Sequence, residues 1–424
     1  MSTHPNSLVE HLFRTTAGKM VAALTRLFGT SHIQLAEDIV QDTLITAINH
    51  WSTDKVPEQP EAWLWQVAKR KALNEMQRKK MILRHHQGGL APSESYNQEI
   101  DTIFLSHEIA DSQLRMIFTC CHPSLNTASQ IALTLKTLCG FGVKEVARAL
   151  LSTPSTINKR LYRAKQKIQQ SEIPFIIPSG KDLEPRLDAV CLSLYLLFNE
   201  GYNASTGNQL IQKELCLEAM RLTKVLVDHF PEQDTLSALL ALMCFHSARF
   251  DARLDDKGAI IIFEEQDRSK WNRALITEGI LYLNRSTRGK KLSAYHLEAG
   301  IAAEHCLANS FAATNWASIK KQYQLLYRLK PNPVISLNLA IIESQLNGKR
   351  ASLQTLSHLA ETGELANYYL LPATQGIFSF HLQEYPQAIV FLEQALPLTH
   401  SASEIAFIQQ KIQECRVAMQ GDRE

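Results

Sequence analysis

No stretch of this chain alternates apolar and polar residues as a half-buried strand must; apolar positions return at intervals of three and four, the period of a helix packed on one side. Sustained across 424 residues and broken only by short turns bearing Gly and Pro, that pattern predicts an all-α protein. A chain this long exceeds what one hydrophobic core organises, so roughly two to four domains are expected. Apolar residues make up 45% and charged residues 20%, a balance that excludes extended disorder. No window approaches the roughly 18 apolar residues of a membrane-spanning helix. The start, MSTHPNSLVEH, lacks the basic-then-apolar layout of a signal peptide. The expected location is therefore cytoplasmic, with no membrane partner. The eight cysteines are scattered and read as reduced core residues.

Punctuation divides the chain. A helical block over 1–83 is followed by a linker, 84–105, opening with RHHQGGLAPSES. A second block spans 106–170 and stops at SEIPFIIPSGKDLEP, 171–185, where three prolines and a glycine preclude a continuous helix. Amphipathic segments fill 186–290 as a helical extension, and 291–424 is more regular. There NWASIKKQYQLLYRLKPNPVISLNLAIIESQLNG forms a helix-turn-helix unit of 34 residues, the length of a tetratricopeptide repeat. Leu365 to His381 and Tyr385 to Leu396 suggest another helix pair, and Ser403 to Met419 a terminal cap. The net charge of +2 conceals an asymmetry. Residues 1–170 hold 20 Lys and Arg against 14 Asp and Glu, about +6, so the remainder carries about −4. A basic front suits nucleic acid, because phosphate neutralisation supplies most non-specific affinity.

In the first block, AEDIVQDTLITAINHW places apolar Ile39, Val40, Leu44, Ala47 and Ile48 at helical spacing, with Glu37, Asp38, Gln41 and Asp42 crowding one end. Taken alone, that run reads as an acidic helix start favoured by the macrodipole. The next helix, EAWLWQVAKRKALNEMQRKK, opens with Trp63 and Trp65 and then sets out Lys69, Arg70, Lys71, Arg78, Lys79 and Lys80. Rings that stack on unpaired bases and cations that follow phosphates suit a surface holding partly melted DNA. The competing reading makes Trp63, Leu64, Val67, Ala68, Leu73 and Met76 a core face, and at least one Trp is expected to be buried.

In the second block, FGVKEVARALLSTPSTINKRLYRAKQKI reads as a helix-turn-helix. Val143, Val146, Ala147 and Leu150 face inward from the first helix. Thr153 caps the second and Pro154 occupies its first position. Ile157, Leu161, Ala164 and Ile168 form the packed side of the second helix. Thr156, Asn158, Lys159, Arg160, Arg163 and Lys167 face a major groove and its phosphates. Cys120, Cys121 and His122 invite a metal reading, but adjacent cysteines lack the usual spacing of zinc ligands, and buried structural thiols are expected instead. No metal and no cofactor is expected.

Together, and in this order, these segments resemble regions 2 and 4 of extracytoplasmic-function sigma factors of the sigma-70 family. AEDIVQDT resembles their polymerase-binding helix, WLWQVAKRKALNEMQRKK their promoter-melting helix, and STINKRLYRAKQKI their recognition helix. The resemblance implies that Asp38, Gln41 and Asp42 face the β′ clamp of core RNA polymerase, with the β subunit a further contact. It implies that Trp63, Lys69, Arg70, Arg78 and Lys79 face promoter DNA at the minus-ten box, with the loop Ser52 to Pro60 nearby. Thr156, Asn158, Lys159, Arg160 and Arg163 would read the minus-thirty-five box. The linker between the blocks would thread the polymerase's channels. Arg70 and Asn74 stand where many members carry Asn and Asp, so fine promoter preference does not carry over.

DSQLRMIFTCCHPSLNTASQIALTLKTLCGFG, RLDAVCLSLYLLFNEGY and EEQDRSKWNRALITEGILYL resemble the subgroup of these factors with a long C-terminal extension. That resemblance implies a control element in the extension; helical repeats expose concave surfaces, which would dock on the DNA-binding core, on polymerase or on an outside regulatory protein. Asn199, Glu200, Tyr202, Arg249, Asp267, Arg268 and Trp271 are candidates to line a groove there. Glu200 and Asp267 are the only carboxylate pair considered for catalysis, and a structural or partner-binding role is preferred. No phosphate-binding Gly-rich loop, nucleophile elbow or HExxH motif is present, so no enzyme is expected. The alternatives are a stand-alone ligand-sensing DNA-binding regulator, and an enzyme or scaffold targeted by the front blocks.

Overall fold

The computed structural model describes residues 5–53, 56–87, 102–150, 152–202, 213–255, 258–289, 291–399 and 401–421. The chain is 79% helical with no strand among the described residues, as the periodicity requires. It divides into two compact units, Met1–Leu196 and Leu197–Glu424.

The front unit holds α1 (Pro5–Phe28), α2 (Ile33–Thr53), α3 (Pro60–Gln87), α4 (Ser106–Cys120), α5 (Thr127–Leu133), α6 (Val143–Ala149) and α7 (Pro154–Gln170), with the first part of α8 (Leu183–Tyr202). α1 buries Ala17, Met20, Ala22, Ala23 and Leu24, and its small residues allow close approach. The closest is at Gly18, where an added Cβ would stand 1.9 Å from the carbonyl oxygen of Leu138. Leu138 ends the π-helical stretch Thr134–Leu138 that continues α5, so the two front blocks pack against each other directly. Across the same seam Arg26 of α1 donates to Glu108 and, at 2.9 Å, to Asp111 of α4. Asp111 also receives Arg115 at 2.6 Å. Helix starts follow local chemistry: Asn126 accepts from the Ser129 amide at 2.9 Å and Thr153 from the Thr156 amide at 3.2 Å, capping α5 and α7.

α3 runs to Gln87, beyond the expected end of its block, and α8 begins at Leu183, inside the expected second linker. The start of α8 belongs to the front unit. Ser193 donates to Gln130 at 3.0 Å, Arg186 to the Phe118 carbonyl at 2.6 Å, and Leu187, Val190 and Leu194 are buried.

The rear unit continues with α9 (Lys213–His229), α10 (Asp234–Ser247), α11 (Arg273–Ser286), α12 (Ala294–Leu307), α13 (Trp316–Leu329), α14 (Pro333–Asn347), α15 (Lys349–Glu361), α16 (Leu370–His381), α17 (Tyr385–Ala395) and α18 (Ala402–Gly421). Its apolar interior from α12 onward is a succession of clusters. Ile301, Ile319 and Ile342 form one, Leu337, Leu356 and Phe378 anchor the next, and Ala388, Leu392, Ile408 and Ile412 the last. That succession is how stacked helical repeats divide a core among neighbours. The 34-residue unit begins at Asn315, which caps α13, and ends at Gly348, whose φ of 90° closes α14. α16 begins at Leu370, later than the expected Leu365. Gly363, at φ 71°, starts a run of turns, while Leu365 itself is buried among α14, α15 and α16.

Arginines close helix C-termini throughout. Arg186 reaches the last turn of α4, Arg253 the Tyr202 carbonyl ending α8, Arg285 the Val227 carbonyl of α9, and Arg268 the His305 and Ala308 carbonyls at the end of α12. Each cation meets orphan carbonyls at the negative end of a helix dipole.

Candidate nucleic-acid and partner interface

α2 has two faces with different chemistry. Ile33, Ala36, Glu37, Val40 and Ala47 point inward, whereas Asp38, Gln41 and Asp42 are exposed. Ile45 and Ile48, each 55% exposed, continue the outward stripe. Ile48 was expected on the packed side together with Ala47; Ala47 is buried there, while the helical phase turns Ile48 to solvent. An apolar centre beside carboxylates is the composition of a docking face, with burial for affinity and charge for orientation. Asp38 accepts from Gln34 at 2.8 Å and Asp42 lies 3.7 Å from Lys71 of α3.

Glu37, in the middle of the same acidic run, does something else. It is 5% exposed, ion-paired with Lys165 of α7 at 2.6 Å, and accepts from Thr137 at 3.0 Å. Lys165 also donates to Gln34 at 2.8 Å. The acidic helix and the second helix of the helix-turn-helix are thus joined by a buried ion pair that spacing within either segment did not reveal.

On α3, Arg70 and Arg78 are exposed, Arg78 lying 3.8 Å from Glu75, and Lys69 is half-buried. The Lys79 side chain lies outside the described residues, as does part of the loop Ser52 to Pro60 and most of the first linker. Neither Trp63 nor Trp65 is buried outright, contrary to expectation. Each is half-covered by other rings: Trp63 by Trp51 at 5.5 Å and His50 at 5.9 Å, Trp65 by Phe104 at 5.3 Å. Trp65, Phe104, Lys19 and Gln113 line a cleft of ≈ 680 Å³ along the seam between the blocks.

α7 has the expected inner and outer faces. Ile157, Leu161, Ala164 and Ile168 are all buried; Thr156, Asn158, Lys159, Arg163 and Lys167 are exposed and Arg160 is half-buried. With four cations along one side of a capped helix, the face matches the charge of a phosphate track, and Thr156 and Asn158 offer hydrogen bonds to base edges.

Cys120 and Cys121 are buried, and burial pushes both thiols up, away from the thiolate form a metal needs. Among the described residues no group of three His, Cys, Asp or Glu side chains is arranged to hold a metal. No described helix is long and apolar enough to cross a membrane. In the rear unit, Tyr202, Arg249, Arg268 and Trp271 belong to one aromatic and guanidinium cluster. Asp267 instead caps its own turn, accepting from the Ser269 amide at 2.9 Å, which with the Ser269 hydroxyl lowers its pKa.

Residues 12–81 match Sigma-70 region 2, residues 115–168 match Sigma-70, region 4, and residues 186–287 match a family of unknown function, DUF6596. The chain is 32% identical over 398 residues to an uncharacterized protein of Rhizobium meliloti (strain 1021), with 92% of each chain covered. With region 2 and region 4 on separate helical blocks and the DUF6596 segment behind them, the chain belongs to the sigma-70 family, as an extracytoplasmic-function-like sigma factor with a C-terminal helical extension.

Proposed function

We propose that this sigma factor docks on the β′ clamp and β subunit of core RNA polymerase and reads two promoter boxes, under control of its extension. The outward stripe of α2 makes the clamp contact, the α3 cations with Trp63 meet the minus-ten box, and the outer face of α7 meets the minus-thirty-five box. The observation that carries this reading is the α2 stripe, where two exposed isoleucines sit in line with Asp38, Gln41 and Asp42. A stripe that sets apolar side chains in line with carboxylates has the composition of a partner face. The polymerase supplies the covalent chemistry; this chain contributes binding and duplex opening.

Two boxes centred about 25 base pairs apart are separated by about 85 Å of duplex at ~3.4 Å per pair. Helices joined by a 2.6 Å ion pair do not span that distance, so the compact front unit corresponds to the unengaged chain.

Run-off transcription with purified core polymerase tests the proposal, comparing the full chain with one ending at Leu196, which retains the part of α8 packed in the front unit. Promoter-dependent transcripts are expected from the full chain. The difference between the two gives the sign of control by the extension, and absence of polymerase binding by both rejects the reading. Asp38→Lys with Asp42→Lys should weaken core-polymerase affinity at least about tenfold, ~1.4 kcal/mol, in an equilibrium binding assay. Unchanged affinity removes α2 as the contact. Combined Lys159→Ala, Arg160→Ala and Arg163→Ala should weaken upstream-box binding and make log K less steep in log salt by about 1 for each phosphate that is no longer neutralised. An unaltered slope and footprint would take those side chains off the DNA.

A further inference from the structure

The turn from Cys121 to Asn126, between α4 and α5, is tied together by one side chain. Gln130 of α5 is 5% exposed, and its amide nitrogen donates to the His122 and Leu125 carbonyls at 3.0 Å each. Both carbonyls can only accept, so the amide nitrogen must face them and the amide oxygen is left for another donor. The extension supplies it: the Ser193 hydroxyl of α8 donates to that oxygen at 3.0 Å. The same hydroxyl lies 3.0 Å from the Ala189 carbonyl, and its single hydrogen serves both. The His122 ring accepts from the Ser124 amide at 3.2 Å. Burial, followed by the charge of nearby Arg186, lowers the pKa of His122, which keeps the ring neutral and that bond in place.

Arg186 anchors the other end of the same helical stripe. It donates to the Phe118 carbonyl in the last turn of α4 at 2.6 Å, and its guanidinium stands 5.9 Å from the centre of the Phe118 ring. Arg186, Val190 and Ser193 follow one another at intervals of four and three, so they share one face of α8, and Val190 is buried with its neighbours Leu187 and Leu194. All of these residues lie in the front unit. α5, which carries Gln130, packs on α7. From Arg186 to Glu200 the helix contains no Gly or Pro, and it runs without a break to Tyr202 of the rear unit. No loop therefore stands between the extension and the turn that Gln130 holds, and that turn belongs to the block carrying the helix-turn-helix.

We propose that this turn is the socket for the first helix of the extension, and that Arg186 and Ser193 are positioning residues that hold α7 in place for reading the upstream box. The extension then acts on the upstream contact and not on the clamp contact of α2. A buried hydrogen bond suits that task. When α8 leaves its seat the Gln130 oxygen loses its donor while still buried, a penalty that separates seated from unseated states sharply. The inference rests on the reading of α7 as the upstream-box helix, and it adds to the segment matching region 4, 115–168, a helix that lies outside that match.

The test uses the full chain assembled with core RNA polymerase, and a duplex carrying the upstream box of a promoter that this holoenzyme transcribes. Ser193→Ala and Arg186→Met should each weaken binding of the holoenzyme to that duplex by about fivefold or more, with affinity for core polymerase unchanged. Arg186→Lys, which keeps a cation for the Phe118 carbonyl, should restore most of the binding. A purely structural role predicts a lower melting temperature with upstream-box affinity unchanged below the transition, and that result overturns the proposal. Equal loss of core-polymerase affinity signals general unfolding and overturns it as well. The chain with Lys159→Ala, Arg160→Ala and Arg163→Ala separates the two readings. If it loses the upstream box while the socket variants keep it, the socket falls and the assignment of α7 stands; if it too keeps the upstream box, both fall. Should Ser193→Ala fail to fold, Arg186→Met decides alone, since that side chain is only half-buried.

Discussion

Replacing Lys165 by Met is expected to lower the stability of the front unit by about 3–5 kcal/mol, because it leaves the Glu37 carboxylate buried without its cation. The side chains of the pair are 16% and 6% exposed, so solvent screening relieves little of that penalty. Thr137 remains as a hydrogen-bond donor but carries no charge. Adding Glu37→Leu to Lys165→Met should recover most of the loss, since two apolar groups of similar volume need no mutual compensation. Hydrogen exchange at the amides of α2 and α7 reads this locally, without interference from the rear unit. A loss below about 1 kcal/mol for Lys165→Met would mean that the pair behaves as an ordinary surface ion pair.

The second large effect is expected from one methyl group. In most helix interiors Gly→Ala is favourable by about 1 kcal/mol. At Gly18 the added carbon would sit 1.9 Å from the Leu138 carbonyl oxygen, a backbone atom that no rotamer change can move away. α1 and the π-helical stretch must separate by more than 1 Å to admit it, and such overpacking costs about 1–3 kcal/mol. Gly18→Ala should therefore destabilise the front unit and loosen its seam. A rise in melting temperature would show that the approach is not that close. Under the proposed function the same variant should form holoenzyme faster, because the compact form is already weakened.

Much of this was legible from residue spacing, and the exceptions have a common cause. Every inward residue expected on α7 is buried, the Thr153 cap forms, and the repeat unit runs from the Asn315 cap to Gly348. These features depend on neighbours within about four residues. Glu37 and Asp38 are adjacent letters of one acidic run, yet one is buried and the other exposed. Helical phase separates them, because Glu37 shares a stripe with Ile33, Ala36 and Val40. That phase also places Ile48 with Asp38 and Ile45 on the outward side. The partner of Glu37 lies 128 residues away, and no local pattern distinguishes Lys165 from the other cations of its helix. Tyr202, Arg249, Arg268 and Trp271 were recognisable by type; that they gather in one cluster depends on where Gln266 and Phe263 fold around Arg249.

The arginines at the helix ends give the scaffold a sensitivity to the medium different from that of the exposed cations of α7. Arg186, Arg253, Arg268 and Arg285 are fastened to carbonyl oxygens, which neither titrate nor exchange counter-ions with the buffer. Under the proposed function, the cations along α7 work by displacing ions from phosphates, so rising salt reverses their effect. On that reading, rising ionic strength would weaken promoter binding before it loosened these helix ends.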